Sequence, residues 1–177
     1  MDPIWSNIFR KTPEQDSLAY FLSHLPMFSE LQPKDLTLLE SLVHLRNYRA
    51  HEIVFEEGDP GSGMYMIRSG SIQILSNNPQ GEEEELAQLG PGDFFGETTL
   101  TAPVQRSASA RTLETTELVG LFRSDLLEVA EGNPRAASRI LFGLTRIVSE
   151  RLQAASLEMR RLQGLLGEDT AAETIET

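Results

Sequence analysis

Three absences in the sequence narrow the classes of function. The chain contains no cysteine, which excludes disulfide bonds, thiolate catalysis and cysteine-ligated zinc. Lys and Arg number 15 against 27 Asp and Glu, for a formal net charge of −12. A protein that neutralises nucleic-acid phosphates needs a basic face, so we expect no nucleic-acid partner. No stretch approaches the roughly 18 apolar residues of a membrane span, and residues 1–11 lack a signal-peptide pattern, so we expect a cytoplasmic protein with no membrane span.

The first part of the chain is predicted to be helical. Residues 1–27 form an N-terminal helical segment in this prediction. Within it, residues 4–9 place apolar side chains on one helical face, and a second helix covers 16–28 with a break at its proline. A third helix over 33–43 begins at a proline, a residue that suits the first turn of a helix. This apolar face is expected to dock on the body of the protein, with contact to a partner or a membrane surface as the alternative, and it consists of Ile4, Trp5, Ile8 and Phe9.

From about residue 46 the sequence changes to short apolar runs separated by glycine-rich turns. Several short strands at this spacing predict a β-barrel of jelly-roll type with about eight strands. With the flanking helices, the predicted fold class is α+β, and the barrel with its adjoining helices forms one domain over 28–133. The runs with the length and composition of strands lie at 53–55, 64–67, 72–75, 84–89, 107–112 and 117–122.

The last third of the chain is predicted to be helical up to an acidic tail. A helix over 124–130 is followed by a long helix over 134–167, which begins at a proline and ends at a glycine. Residues 168–177 are polar and acidic, and we expect them to be disordered. Apolar residues of the long helix recur at spacings of 3 and 4, close to a heptad repeat. We expect the first part of this stripe, 141–148, to pack on the barrel and the part beyond Leu152 to pair two subunits. We call the stripe the seam, and it consists of Leu141, Leu144, Val148, Leu152, Ala155, Met159, Leu162 and Leu166.

The segment over 92–110 has the elements of an anion site. A helical turn that starts at Gly96 would direct unpaired backbone N–H groups outward, and the missing side chain lets the backbone approach a ligand closely. Arg106 can offer two parallel N–H donors to a phosphate. Glu97 would repel a phosphate unless its carboxylate accepted a hydrogen bond, and a ribose 2′-hydroxyl is such a donor. The segment therefore favours a ligand that joins a phosphate to a ribose.

This segment resembles the phosphate-binding cassette of the cyclic-nucleotide-binding domain family, which includes the catabolite activator protein, the regulatory subunits of protein kinase A and cyclic-nucleotide-gated channels. The cassette has the form F-G-E-x-x-L, followed after several residues by P-R-S/A-A-S/T. This chain has Phe95-Gly96-Glu97-Thr98-Thr99-Leu100 and then Arg106-Ser107-Ala108-Ser109. The likeness covers roughly residues 28–165 and includes the blocks Glu57–Ser62, Met64–Ile67, Ser69–Ser71 and Leu86–Asp93.

The resemblance implies a role for each matching residue. Backbone N–H groups of the turn and the arginine bind the phosphate, the glutamate binds the ribose, and three apolar residues line the purine. The residues expected to bind the ligand are Phe95, Gly96, Glu97, Thr98, Thr99, Arg106, Ser107, Ala108, Ile74, Leu86 and Ala87, of which Ile74, Leu86 and Ala87 contact the purine. Two positions depart from the family pattern. Gln105 replaces the proline before the arginine, and Thr99 replaces a smaller alanine or cysteine, which should crowd the site slightly.

The resemblance also implies a sensor rather than an enzyme, with no cofactor and no metal. The ligand is expected to be cyclic AMP, with cyclic GMP as the alternative. Transcription factors of this family carry a DNA-binding module after the long helix, and too few residues follow Gly167 for one, so we expect no DNA-binding domain. The signal would pass through the C-terminal helix to a separate effector protein of unknown identity, and a homodimer would form through the seam.

Two other classes of function stay open at the level of sequence. In the first, the fold is a ligand-free interaction scaffold, and Arg106 and Glu97 pair with each other on a surface loop. In the second, the barrel houses a cupin-like metal enzyme, which needs two or three histidines that converge inside it. The chain has only His24, His44 and His51, in or just after the predicted N-terminal helices, which disfavours the metal enzyme.

Overall fold

The computed structural model describes residues 17–173, with side chains as far as residue 164. The helix predicted over 4–9 lies outside the described residues. The N-terminal part contains α1, a 3₁₀ turn and α2, so the predicted break at the proline is present as a change from α-helix to 3₁₀ turn. These elements span Leu18–His24, Pro26–Phe28 and Pro33–Leu42, and the later helices are α3 (Arg123–Gly132) and α4 (Pro134–Glu173).

The described strands form two four-stranded antiparallel sheets, and the fold is α+β. The helix-facing sheet has the order β1-β8-β3-β6, and the opposite sheet has the order β2-β7-β4-β5. No strand pairing among the described residues joins the two sheets, so the expected closed barrel is replaced by an open sandwich with jelly-roll strand order. The strands are β1 (His44–Tyr48), β2 (Ile53–Phe55), β3 (Gly63–Ser69), β4 (Ile72–Asn77), β5 (Glu83–Leu89), β6 (Phe94–Phe95), β7 (Ser109–Thr112) and β8 (Thr116–Phe122).

The helix-facing sheet lies between two hydrophobic clusters, and β3 shows why. Side chains alternate across a strand, so Met64 and Met66 point to one face while Tyr65 and Ile67 point to the other. The two methionines pack with the helices in the larger cluster, and Ile67 packs between the sheets with residues of β4 and β7. A strand buried on both faces is apolar at nearly every position, and this run of β3 is the clearest strand signal in the sequence.

Two strands were missed by the prediction for physical reasons. The strand β1 is an edge strand that pairs only with β8, and four of its five residues are exposed. Its sequence, His-Leu-Arg-Asn-Tyr, therefore lacks the alternation that marks a half-buried strand. The strand β6 has two residues, which is too short for any periodicity.

The long helix α4 continues past the end predicted at residue 167 and runs to Glu173. The residues 168–173, which we expected to belong to a disordered tail, are thus helical, and 174–177 lie outside the described residues. A single glycine inside a helix costs only about 1 kcal/mol relative to alanine. The glycine at 167 is therefore too weak a signal to end a helix by itself. Within residues 17–173, no helix has the length and apolarity needed to cross a membrane.

The first half of α4 packs on the N-terminal elements. Ile140, Leu144 and Ile147 are buried in the larger cluster with Met27 and Phe28 of the 3₁₀ turn. The contact is close because α4 has a glycine where the turn crosses it. A Cβ atom on Gly143 would overlap the carbonyl oxygen of Met27. A glycine that lowers the helix propensity of α4 is therefore required by the packing.

We expect Gly143→Ala to destabilise the protein by roughly 1–2 kcal/mol, because the added methyl group forces the 3₁₀ turn away from α4. On helix propensity alone, the same change would stabilise by up to about 1 kcal/mol. Gly164 lies in the same helix, and no other atom comes within 4 Å of the place where its Cβ would be, so Gly164→Ala is the matched control and should stabilise slightly or have no effect. Chemical denaturation of both variants checks the prediction, and a stabilised Gly143→Ala protein would contradict it.

Candidate ligand-binding site

A cavity of about 340 Å³ lies between the inner side of the β2-β7-β4-β5 sheet and the turn after β6. This volume falls in the range of small-molecule sites, roughly 300–1,000 Å³. One end of the cavity is polar and is formed by the turn and by the residues that lead into β7. The other end is apolar and is formed by β4 and β5. The lining residues are Phe55, Ile74, Ala87, Leu89, Phe94, Phe95, Gly96, Glu97, Thr98, Arg106, Ser107, Ala108, Ser109 and Arg151.

The turn at the polar end begins at a glycine for two reasons. Gly96 has a φ of +77°, in the left-handed region that L side chains rarely adopt. In addition, a Cβ atom at this position would overlap the Nη1 atom of Arg106. Glu97–Thr99 follow as a 3₁₀ turn, and the first N–H groups of such a turn have no partner within it. The turn therefore presents Glu97 and Thr98 to the cavity.

Arg106 is a buried cation at the polar end, with only 6% of its surface exposed. Its Nη1 atom donates to Gly63 O at 2.8 Å, Gly96 O at 3.1 Å and Thr99 Oγ1 at 2.8 Å. Its guanidinium carbon lies 4.0 Å above the centre of the Phe55 ring. Burial lowers the pKa of this guanidinium from its ordinary value, and an arginine nevertheless stays charged at neutral pH.

Two nitrogens of the Arg106 guanidinium group, Nε and Nη2, have no hydrogen-bond partner among the described residues, because all of its side-chain hydrogen bonds come from Nη1. The Nε atom is also buried. An unsatisfied buried donor on a charged group is costly, so such groups in proteins almost always have a partner. Because the side chain of Arg106 lines the cavity, an anion bound there would supply the partner. This arrangement points to a negatively charged ligand.

Glu97 does not form an ion pair with Arg106. The ligand-free interpretation of the sequence had expected such a pair. Its Oε1 atom accepts a hydrogen bond from Arg151 Nη1 at 2.9 Å. The other terminal nitrogen of Arg151 donates to Phe94 O at 2.9 Å, and the guanidinium lies 3.7 Å from the centre of the Phe94 ring. The carboxylate at the cavity is thus held by a residue of α4, and Arg106 stays free for a ligand.

The structure brings most of the predicted site residues together at the cavity. The predicted residues that line it are Ile74, Ala87, Phe95, Gly96, Glu97, Thr98, Arg106, Ser107 and Ala108.

Thr99 and Leu86 are placed elsewhere. The side chain of Thr99 is fully buried behind the turn and does not line the cavity. We had expected it to crowd the site, and it does not. Leu86 is 57% exposed and absent from the lining. The register of β4 and β5 shifts at this point, because Ile74 faces Ala87 while Leu75 faces Glu85, which leaves Leu86 in a β-bulge. Successive side chains of a strand point to opposite faces, so Leu86 points away from the cavity that Ala87 and Leu89 line.

Sequence reasoning missed the remaining lining residues, which are Phe55, Leu89, Phe94, Ser109 and Arg151. Four of them lie inside or beside the blocks that carried the resemblance, so extending those blocks by a residue or two would have found them. Arg151 differs, because it lies on α4 and reaches Glu97 across 54 residues of sequence. No local motif marks it.

The open jelly-roll sandwich has a cavity in which a glycine turn and a buried arginine lie together, and this arrangement suits an anionic small molecule. The family model described as the cyclic nucleotide-binding domain matches residues 45–133, half of the chain. The chain belongs to the cyclic nucleotide-binding domain family.

Three related proteins show how far the similarity extends. The chain is 37% identical over 134 residues to the cyclic AMP receptor protein of Thermus thermophilus, covering 76% of this chain and 60% of that protein. It is 31% identical over 144 residues to a putative potassium channel protein of Rhodopseudomonas palustris, covering 81% of this chain and 34% of that protein. The crystal structure of the Thermus thermophilus catabolite activator protein superposes with a TM-score of 0.70 at 36% identity, covering 78% of this chain and 63% of that one. The chain thus spans at most about 60% of these two curated relatives, neither of which is named as an enzyme.

Proposed function

We propose that this domain binds a purine 3′,5′-cyclic nucleotide, cyclic AMP in the first place, and acts as a sensor. The observation that carries the proposal is the buried Arg106, which lines the cavity and whose Nε has no partner among the described residues. The cyclic phosphate would lie against this guanidinium and the backbone N–H groups after Gly96. The ribose 2′-hydroxyl would donate to Glu97, and the purine would lie against Ile74 and Ala87 at the apolar end.

The lining of the cavity supports a binding role rather than catalysis. Its described residues include one carboxylate, on Glu97, and no histidine. The carboxylate of Glu97 is the group assigned to the ribose, which leaves no second carboxylate or histidine among the described lining residues to act as a general acid or base. The serines at the polar end, Ser107 and Ser109, have no base within the lining to activate them.

Cyclic AMP should bind more tightly than cyclic GMP. Guanine carries two ring-edge donors and a carbonyl acceptor that need partners, and burial without them costs more than burial of the adenine edge. The apolar end of the cavity offers Ile74, Ala87 and Leu89. The similarity to a protein named as a cyclic AMP receptor points the same way. Competition of the two nucleotides for the purified protein tests the preference, and tighter binding of cyclic GMP would show the choice of base to be wrong.

We propose that ligand occupancy reaches α4 through Arg151. This arginine joins Glu97 at the cavity to the backbone of Phe94, so a nucleotide that engages Glu97 acts on a contact made by α4. A ligand shifts an equilibrium when its affinity for the two states differs. The output would then pass along the helix to a partner subunit or to an effector protein whose identity stays open, and the cytoplasmic location stays a prediction.

The exposed part of the seam supports pairing of two subunits. Leu144 is buried against the N-terminal elements, so the exposed stripe passes through its neighbour Thr145 instead. With Thr145 the stripe keeps alternating spacings of 3 and 4 through residue 162, as a coiled coil requires. Met159 and Leu162 are 60% and 51% exposed, so neither side chain is buried against the sandwich. Exposed apolar residues in a continuous stripe are typical of a surface that binds a partner.

We expect replacement of Met159 and Leu162 by glutamate to convert a dimer into a monomer, because charges on the stripe repel across the pairing axis. Both positions are exposed in the single chain, so the sandwich should keep its melting temperature within a few degrees. Light scattering with and without cyclic AMP measures the mass. The matched control is Leu157→Glu, on the same stretch of helix but off the stripe, which should leave the dimer intact. A wild-type chain that is monomeric at high concentration in both conditions would refute the pairing.

A further inference from the structure

Thr99 is the last residue of the 3₁₀ turn, and its side chain is fully buried behind it. Its Oγ1 atom lies 2.8 Å from Arg106 Nη1 and 3.1 Å from each of two carbonyl oxygens, Gly63 O and Gly96 O. The same two carbonyls accept from Arg106 Nη1. The hydroxyl therefore belongs to a small closed network of hydrogen bonds with the arginine and two backbone carbonyl groups.

The protons of this network match its acceptors. Arg106 Nη1 carries two protons and no lone pair, and the hydroxyl of Thr99 carries one proton and can also accept. The acceptors are that hydroxyl oxygen and the two carbonyl oxygens. Nη1 can thus donate to Oγ1 and to one carbonyl, while the hydroxyl donates its own proton to the other carbonyl. Each of the three protons then has an acceptor, and each acceptor has a proton.

Two glycines make room for the network. A Cβ atom on Gly61 would overlap the side chain of Thr99, and a Cβ atom on Gly96 would overlap Nη1 of Arg106. The Gly61 backbone is itself fixed, because its N–H donates to Val104 O at 3.0 Å. The threonine side chain thus occupies a space that is open only because position 61 is a glycine.

We infer that Thr99 is a positioning residue for Arg106, and that its hydroxyl selects which edge of the guanidinium faces the ligand. The guanidinium is planar and rigid, so holding Nη1 against the turn fixes the direction of Nε as well. The phosphate then meets the edge formed by Nε and Nη2, the two nitrogens without a hydrogen-bond partner among the described residues, rather than Nη1. Thr99 itself does not line the cavity, so it acts through the arginine alone. This inference rests on the proposed function.

The test compares three threonine variants by calorimetric titration with cyclic AMP. Thr99→Val keeps the shape and removes the hydroxyl, so the guanidinium samples other orientations and the affinity should fall about tenfold. Thr99→Ser restores the hydroxyl and should bind within about twofold of wild type. Thr112→Val is the control, because Thr112 is also fully buried and its hydroxyl donates to a backbone carbonyl, Arg49 O, away from the cavity. It should lower the melting temperature and leave the affinity unchanged.

A second measurement follows the arginine directly. The Nε–H resonance of Arg106 in a nitrogen-15 spectrum, identified by its absence in Arg106→Leu, should broaden in Thr99→Val and stay sharp in Thr112→Val. If Thr99→Val does not fold, Thr99→Ala takes its place in both measurements. Wild-type affinity and a sharp resonance in the hydroxyl-free variant would overturn this inference alone. A wild-type chain that binds neither cyclic AMP nor cyclic GMP would overturn the proposed function and this inference together.

Discussion

Arg106→Leu should weaken cyclic AMP binding by about 2–4 kcal/mol, or roughly 30- to 1,000-fold in affinity. The leucine leaves the phosphate without its charged partner. The arginine is almost fully buried, so solvent cannot replace its guanidinium. Calorimetric titration of wild type and variant measures the difference.

The control for this variant is Arg111→Leu. Arg111 lies on β7 five residues further along, pairs with Glu83 on the outer side, and does not line the cavity. The Arg111→Leu change removes one positive charge from the same part of the molecule. The comparison therefore separates a specific contact of Arg106 from the general electrostatic attraction of an anion. We expect the control to bind cyclic AMP within about twofold of wild type, since exposed charge pairs contribute little. Equal loss in both variants would mean that Arg106 has no specific role.

Asp35→Asn should lower the free energy of unfolding by about 2–3 kcal/mol at neutral pH. Asp35 of α2 is fully buried, and both of its oxygens accept from Arg139 of α4, at 2.7 Å each. The same carboxylate accepts from the backbone N–H of Gln32 and so closes the start of α2. Removal of a buried partner usually costs about 3–5 kcal/mol, and we expect a smaller loss because Arg139 is partly exposed and can rehydrate.

The effect of Asp35→Asn should depend on pH with a known sign. The hydrogen bonds from Arg139 hold the pKa of the Asp35 carboxyl below its usual value of 3.8. A carboxyl with a lowered folded-state pKa stabilises the protein above its unfolded-state pKa, and this stabilisation disappears as the pH falls through the folded-state value. The difference between wild type and variant should thus be largest above about pH 4 and should shrink in stronger acid.

Urea denaturation at a series of pH values measures this difference. Glu40→Gln, which removes a carboxylate from the same helix, is the control and should change the stability by less than about 0.5 kcal/mol. A gap between wild type and Asp35→Asn that stays constant from neutral pH into strong acid would refute the assigned role of the ion pair.

The parts of the site that could be predicted from the sequence are those built by neighbouring residues. The turn at Gly96 and the arginine at 106 lie within one short segment, and their chemistry depends on a backbone conformation that a glycine signals. Arg151 could not be predicted in this way, because its contact with Glu97 depends on where α4 crosses the sandwich. Thr99 was placed in the right turn, but only the three-dimensional arrangement shows its hydroxyl against Arg106 rather than in the cavity.

Periodicity predicted the elements of the fold where burial follows a simple alternation, and it failed where burial does not. The strand β3 is buried on both faces and was easily found, whereas the exposed edge strand β1 carries no apolar pattern. Leu86 was expected at the purine together with its neighbour Ala87, although successive side chains of a strand point to opposite faces, and only Ala87 lines the cavity. The first half of the seam was expected to pack on the barrel, and Leu144 is buried in the cluster that the helices form with the helix-facing sheet.

Thermal unfolding of the wild-type chain with increasing cyclic AMP tests the central claim most directly. A ligand that binds only the folded state stabilises it by about 2.7 kcal/mol at a hundredfold excess over its dissociation constant. We predict that the melting temperature rises steadily with nucleotide concentration in the wild type and that Arg106→Leu needs at least about 30-fold more nucleotide for the same rise. No rise in the wild type at millimolar cyclic AMP, or an equal rise in the variant, would contradict the account of this cavity as a cyclic-nucleotide site centred on Arg106.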